Sequence, residues 1–509
     1  MAATTPSNGT RRGRVGRGCA LAAAVGLVLI GGCGLAAHLY DRHWEKKVEA
    51  KLAEYRAAGQ PVTWAEVLAA RQSIPPEENS ALVFLEAFKQ LAPPDGQCQE
   101  RLVYGFSRKW TGGARHPEEV RRLIEAHLDA NDAALDKIRE AAVLPDGAYP
   151  LDPTQDPMSV DMDYLSALMD AVRLCNIEAV YHAEAADPQQ ATKSLVQGRR
   201  TLASIGEGTT PVEGLVRNRG GGLWLDAAQH TLELCQVPAD GLRALRAEMA
   251  QGEAQLSLEL VFRGVRSGGL YRFSGVAAPE VPWSSPEGYV WRLHGLIPGW
   301  RHRDALFYCS VLDRAAEINR LPLRERYAEA VRLGTEVQEK TQGSPIKYLF
   351  LDFCLRSMEW LFRLQVEAHA ALRVGDAALA VERWRLAHGR WPESLDELVP
   401  DLLEEVPDDP FCEEKIQYRQ TADGVIVYSV GPDGQDDNGT PEEETTDDRY
   451  DVRFRLLDPE LRGARTLTFR EEVMDSGLSL EALEEAGYTE EKLRALGLSE
   501  DDIRELGWR

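Results

Sequence analysis

The chain has 509 residues, 44% of them hydrophobic, enough to bury a sizeable core across roughly two to four domains. Its 58 basic and 82 acidic side chains leave a net charge of −24, which repels nucleic-acid phosphate and anionic membrane surfaces. Nucleic acid is excluded on this ground, and proteins, cations or neutral molecules are the expected partners.

The first elements give the chain an address. Residues 1–17 carry Arg11, Arg12, Arg14 and Arg17, and 18–40, "GCALAAAVGLVLIGGCGLAAHLY", holds no Asp, Glu, Lys or Arg. As a helix this segment is about 34 Å long, against a hydrocarbon core of about 30 Å, so it predicts a single-pass transmembrane anchor. Arginines on its N-terminal side predict that 1–17 stays cytoplasmic and that everything after Tyr40 is extracytoplasmic. "LIGGC", ending at Cys33, is an alternative lipidation site, and a cleaved signal peptide is a third reading. The apolar run continues beyond Cys33, which favours the uncleaved anchor, and the compartment is the same either way.

From 41 to 373 the period is helical. "TWAEVLAARQ" and "ENSALVFLEAFKQL" are amphipathic, and Pro117 opens one long helical pattern, "PEEVRRLIEAHLDANDAALDKIREAAV". Met162 to Gly206 reads as two helices broken at Asp187-Pro188, the hairpin unit of helical-repeat solenoids, although a single pair makes the chain only partly repeat-like. Gly220 to Gly222 reads as a helix break. From about Gly264 to Arg303, Tyr271, Phe273, Trp283, Tyr289, Trp291 and Trp300 lie among Gly and Pro, which predicts a long loop that is either a ligand platform or packed onto the helices. The cysteines form no C-x-x-C pair and read as small apolar residues on buried helix faces.

After Pro400 the period changes from 3.6 to 2. "KIQYRQ", the turn "TADG" and "VIVYSV" predict a β-hairpin with Asp423-Gly424 at its turn, and "RYDVRFRLL" predicts a further strand. Between them lies "YSVGPDGQDDNG", Tyr428 to Gly439, either a solvated turn or a cation-binding loop. It is not an EF-hand: counting from Asp433, the sixth position is Asn438 where a glycine is required. The fold class expected is mainly α, with a small α+β module at 374–460.

The last stretch, 476–509, repeats every ten residues: "GLSLEALEEA", "GYTEEKLRAL", "GLSEDDIREL". Ser479, Thr489 and Ser499 are N-caps, and Leu478 with Leu483, Tyr488 with Leu493 and Leu498 with Ile503 form hydrophobic staples across each start. Three short helices are predicted, either a partner-docking tail or a cap on the neighbouring domain.

Catalytic patterns are sparse. G-x-S-x-G, H-E-x-x-H and the phosphate-binding G-x-x-x-x-G-K-[ST] do not occur, and no two of the ten histidines stand at helical spacing for a zinc site. Ser344 to Lys347, "SPIK", matches S-x-x-K without its partner motifs. Asp152, Asp156, Asp161 and Asp163 are dense enough for a carboxylate pair; with Trp283 and Trp291 as a platform they make an envelope hydrolase the alternative function.

"ALAVERWRLAHGRWPESLDELVPDLLEEVPDDPFCEEKIQYRQTADGVIVYSVGPDGQDDNG", Ala378 to Gly439, resembles the C-terminal module of major pseudopilins of the type II secretion system: helix, G-x-[YW]-P break, "DPF" corner, hairpin, and "YS-x-G-x-DG" leading into a calcium loop. The resemblance implies a structural calcium ion held by the main-chain carbonyl of Val430, by Asp433, and by Asp447 or Asp448, with Asp436 as an additional ligand. The anchor, however, lacks the family's G-F-T-L-x-E peptidase motif, and 41–373 intervenes between anchor and module. Over Trp64 to Gly439 the chain also resembles a family of uncharacterised bacterial membrane-anchored proteins that share "ENSA…LEAF" and the "DANDAAL" helix; that likeness brings no activity. The expected function is a non-enzymatic scaffold or interaction protein of the envelope, tied to secretion, with a protein partner.

Overall fold

The computed structural model describes residues 10–71, 73–104, 112–155, 160, 162–273, 298–342, 357–440 and 450–507, without the side chains of 10–30, 97, 98 and 357. Among them helices predominate. The first, α1 (Thr10–Ala57), is continuous over 48 residues and contains the whole of 18–40. Its Gly31–Leu39 portion is largely exposed, with Leu35 and Leu39 each 60% exposed, whereas Val48, Leu52 and Tyr55 turn inward. Among the described residues no helix is long and apolar enough to cross a membrane, and the side chains of 10–30 lie outside that description.

Among the described residues the helices leading to the sheet are α2 (Trp64–Ala69), α3 (Ser80–Phe88), α4 (Gly96–Tyr104), α5 (Glu118–Ala130), α6 (Asp132–Ala141), α7 (Asp163–Glu184), α8 (Pro188–Ala203), α9 (Pro211–Leu234), α10 (Ala239–Ala254), α11 (Glu259–Phe273), α12 (Trp300–Ile318), α13 (Leu323–Gln342) and α14 (Ser357–His388). Local chemistry sets several starts. Thr63 with Glu66 and Thr210 with Glu213 close reciprocal capping boxes, and Asp187 caps α8 ahead of Pro188. The α7–α8 pair is the hairpin expected from the sequence.

Three expectations are corrected. The single helix after Pro117 is two, because Asn131 leaves the helical path: its Nδ2 donates to Ala92 O at 2.9 Å and its Oδ1 accepts from Ala92 N at 2.8 Å. Gly220 to Gly222 do not break α9, and Gly264 to Phe273 belong to α11 instead of a loop. In both helices glycine sits where a neighbour comes too close for a side chain: an added Cβ would lie 2.3 Å from Leu202 Cδ2 at Gly220 and 1.8 Å from Thr209 O at Gly264. Packing outweighs the roughly 1 kcal/mol helix penalty of glycine. The cysteines with described side chains, Cys33, Cys175, Cys235, Cys309 and Cys412, are free thiols.

Helix α14 joins two cores. Met358, Leu361 and Phe362 at its start pack with α11, α12 and α13, whereas Leu372 to Trp384 enter the larger core shared by α7, α8, α9, α10 and the sheet. Position 374, the expected start of the C-terminal module, is mid-helix. The sheet is antiparallel in the order β1 (Gln417–Gln420), β2 (Gly424–Ser429), β3 (Val452–Leu457), with Gln420 opposite Val425 and Tyr428 opposite Arg453. Central β2 is buried along its length, and Arg455 of β3 ties the sheet to α9 by donating its N–H to Gln229 Oε1 and its Nε–H to Glu233 Oε1.

One carboxylate secures this assembly. Glu382, fully buried on α14, accepts from Arg385 through Nε and NH2 at 2.8 Å each, and from Arg462 through NH1 at 2.6 Å and NH2 at 3.0 Å. The segment after β3 then runs beside residues 113–115, where Arg115 N donates to Arg465 O and Leu467 N to Arg115 O. Four short helices follow: α15 (Phe469–Ser476), α16 (Leu480–Glu485), α17 (Glu490–Ala495) and α18 (Glu500–Leu506). All six staple residues are buried, and Arg101 of α4 donates to the carbonyls of Ser476 and Gly477. The tail therefore caps its own domain.

Replacing Glu382 with Ala leaves two buried guanidinium groups without their acceptor. The expected cost is about 3–5 kcal/mol in chemical denaturation of the chain, against less than about 0.5 kcal/mol for Asp401→Asn on the exposed surface.

Candidate functional site

The acidic loop leaves β2 through a corner made rigid by Asp409. Burial raises this carboxyl's pKa, and it is held by three donors: the Phe411 and Val430 N–H groups at 2.9 Å each and Ser429 Oγ at 2.8 Å. Beyond Gly431 the chain makes two successive Asx turns, Asp433 Oδ1 accepting from Gln435 N at 3.0 Å and Asp436 Oδ1 from Asn438 N at 2.8 Å. Gly431, Gly434, Asn438 and Gly439 all have positive φ, which explains the glycine and asparagine content. Asp451, just before β3, closes the loop by accepting from Gly439 N at 2.5 Å.

The carboxylates of this loop are not all satisfied. Asp433 Oδ2 and Asp437 Oδ2 are buried without a hydrogen-bond partner. Burial, joined by the charges of Asp436 and Asp437, pushes the Asp451 carboxyl up to about 6 despite the opposing bonds from Gly439 and Asp437. A hard cation relieves such a loop by taking orphaned oxygens as ligands. Among the described residues, however, no group of three or more His, Cys, Asp or Glu side chains is placed to hold a metal ion.

Of the sequence-predicted ligands, Asp433 and Asp436 lie on this loop and Val430 is anchored at its start, while Asp447 and Asp448 fall in 441–449, outside the described residues. Asp437 and Asp451 were not among the expected ligands. Asp437 sits in the quoted motif, but Asp451 is twelve positions beyond Gly439, and only the closing hydrogen bond identifies it. Trp283, Trp291, Asp156, Asp161 and the Ser344 to Lys347 motif also lie outside the described residues. Asp163 opens the first turn of α7, exposed, and Asp152 is engaged by Thr154 through its backbone N–H and hydroxyl. A small cavity of about 40 Å³ between α11 and α12, lined by Arg263, Arg266 and Arg320, has room for only a few waters.

A second ionisable cluster, unforeseen in the sequence, lies beneath the tail. His116 donates its backbone N–H to Glu184 Oε1 at 2.6 Å, and its Nδ1 is 2.8 Å from the same oxygen. Arg121 of α5 approaches Glu184 Oε2 at 3.3 Å; the His230 ring of α9 lies 6.4 Å from that of His116, with its Nδ1 3.9 Å from Glu233 Oε2. Glu472 of α15 enters this group, its Oε2 buried without a donor. Burial raises the Glu472 pKa, with Glu184 adding to the rise and His116 and His230 opposing it. For His116 burial acts downward, but the bond to and charge of Glu184 outweigh it and raise the imidazole. Glu184 is lowered, the His116 contacts overcoming its burial. Positions 116, 184, 230 and 472 share no sequence spacing, so only the tertiary fold assembles them.

Compared with family models, with curated proteins and with solved structures, the chain matches none.

Tail docking should respond to pH through this cluster. In the folded chain His116, through Glu184, and Glu472, through burial, both hold protons more tightly, so their contribution is present at lower pH and is lost as pH rises through their elevated values; the Glu184 contribution is lost only on strong acidification. Hydrogen-exchange protection of 469–476, corrected for intrinsic rates, is expected to fall from pH 6 to pH 8.5, and Glu472→Gln is expected to flatten that fall.

Proposed function

We propose that the chain is a single-pass, membrane-anchored scaffold whose extracytoplasmic body presents a calcium-stiffened, pseudopilin-like module to a protein partner, in a role tied to secretion. The observation that carries the calcium part is the pair of buried, unpartnered carboxylate oxygens on Asp433 and Asp437 in one tightly turned loop. Asp433, Asp436 and Asp437, with the Val430 carbonyl and Asp447 or Asp448 supplied from the following segment, are the ligands in this reading. Bound calcium would neutralise the loop and hold the β2–β3 connection in one shape; its role is structural. The anchor part is supported by the exposed apolar stretch of α1 from Gly31 to Leu39, just before its first contact with the body at Tyr40. An extracytoplasmic address suits such a site, because extracellular calcium modules fill with dissociation constants of about 10⁻⁴ to 10⁻³ M.

Millimolar calcium is expected to raise the melting temperature of the full chain by on the order of 1–2 °C, and Asp433→Ala is expected to abolish the rise. An equal rise in the variant, or none in the parent at 5–10 mM (about ten times the weaker dissociation constant), removes calcium from the proposal.

A further inference from the structure

Where α1 meets the body, its side chains and those at the start of α12 form a collar of aromatic and basic groups. Asp41 Oδ1 accepts from the Gly299 N–H at 2.8 Å and lies 3.1 Å from His302 Nδ1, which fastens the first turn of α12 one residue beyond the expected span. The rings of Tyr40 and Trp44 meet edge to face with centroids 6.2 Å apart. Lys47 Nζ is 4.3 Å and Arg303 Cζ 5.4 Å from the Trp44 ring centroid, and Arg303 NH1 donates to the Tyr40 hydroxyl at 3.3 Å. Trp300, half-buried, opens α12 beside them.

The charge here runs against that of the whole molecule. Positions 41–47 and 300–303 contain Arg42, Lys46, Lys47, Arg301 and Arg303 but only Asp41 and Glu45, in a chain of net charge −24. Both acids are engaged, Asp41 as above and Glu45 with Arg42 at 3.4 Å. Among the described residues neither Lys46 nor Arg301 has a carboxylate within ion-pair distance. Lys46 is exposed to solvent and Arg301 half-exposed, the charge of Arg301 also acting on Asp41.

We infer that this collar is a docking surface for anionic phospholipid headgroups, through which the body is seated on the bilayer; the inference rests on reading 18–40 as a membrane span. Trp44 is four residues beyond Tyr40, about 6 Å along the helix axis, which places it within a headgroup layer about 5–8 Å deep. Trp and Tyr gather at that depth because their rings are amphipathic, and Lys and Arg near an anionic surface each strengthen attachment about fivefold. The acidic remainder of the body is repelled by the same surface, and with a screening length of about 8 Å only groups at the collar feel attraction. The two forces together select one orientation, collar down and acidic body away.

The test uses the full-length chain in bilayers of phosphatidylcholine, with and without phosphatidylglycerol. The emission contributed by Trp300, obtained by difference from Trp300→Phe, is expected to be quenched by lipids brominated near the headgroup end of their acyl chains. Phosphatidylglycerol is expected to be retained over phosphatidylcholine in native mass spectrometry, and Lys46→Gln with Arg301→Gln is expected to cut that retention by roughly twentyfold. A chain that stays in the membrane through a carbonate wash, yet shows an unquenched Trp300 or the same lipid retention in the double variant, overturns the collar alone. Release by the carbonate wash overturns the anchor reading and the collar with it.

Discussion

The fold depends on a negative charge that never meets water. Glu382 is buried in the middle of the structure, and burying a lone carboxylate is affordable only when its oxygens are fully bonded. Two arginines supply four donors, one from the next turn of α14 and one from a segment 80 positions away. The consequence is geometric: the chain leaving β3 must return to α14, which draws the sheet onto the face that α9 and α10 also occupy. The α+β region and the helical region consequently share a core, with Trp224 and Val427 in one apolar cluster.

Legibility in the sequence followed the range of the forces involved. The hairpin was readable because Asp423-Gly424 encodes its turn within four residues, and the tail helices because caps and staples repeat every ten. Asn131 was misread because its amide is satisfied by Ala92, 39 positions earlier, which no local pattern announces. The glycines of α9 and α11 looked like breakers because propensity is a local quantity, while the contacts that excuse them, Leu202 and the Thr209 carbonyl, are tertiary. The candidate site shows the same division. Asp433 and Asp436 are visible as a glycine-punctuated acidic run; Asp437 stands in the same run but enters only through the rejected EF-hand spacing, and Asp451, just before β3, closes the loop from the other side. His116, Glu184 and Glu472 were invisible altogether.

The two ionisable clusters solve the same electrostatic problem differently. Beneath the tail, carboxylates are partly offset by the imidazoles of His116 and His230 and the guanidinium of Arg121, so protonation can adjust the balance. In the loop after β2, Arg419 and Arg453 donate to the carbonyls of Asn438 and Gly439. The backbone is thus clamped, while Asp433 Oδ2 and Asp437 Oδ2 stay buried without a hydrogen-bond partner.

The tail's position also governs the order in which the protein comes into being. Arg101 of α4 and the carbonyl of Ser476 are 375 positions apart, yet they are bonded in the finished core. Until the tail has been synthesised, α4 packs on α5 and α7 but the side that meets α15 and α16 is uncovered. A nascent chain held this long with an open seam is a natural client for chaperones on whichever side of the membrane it folds, and truncation shortly before Thr468 would strand the molecule at that stage.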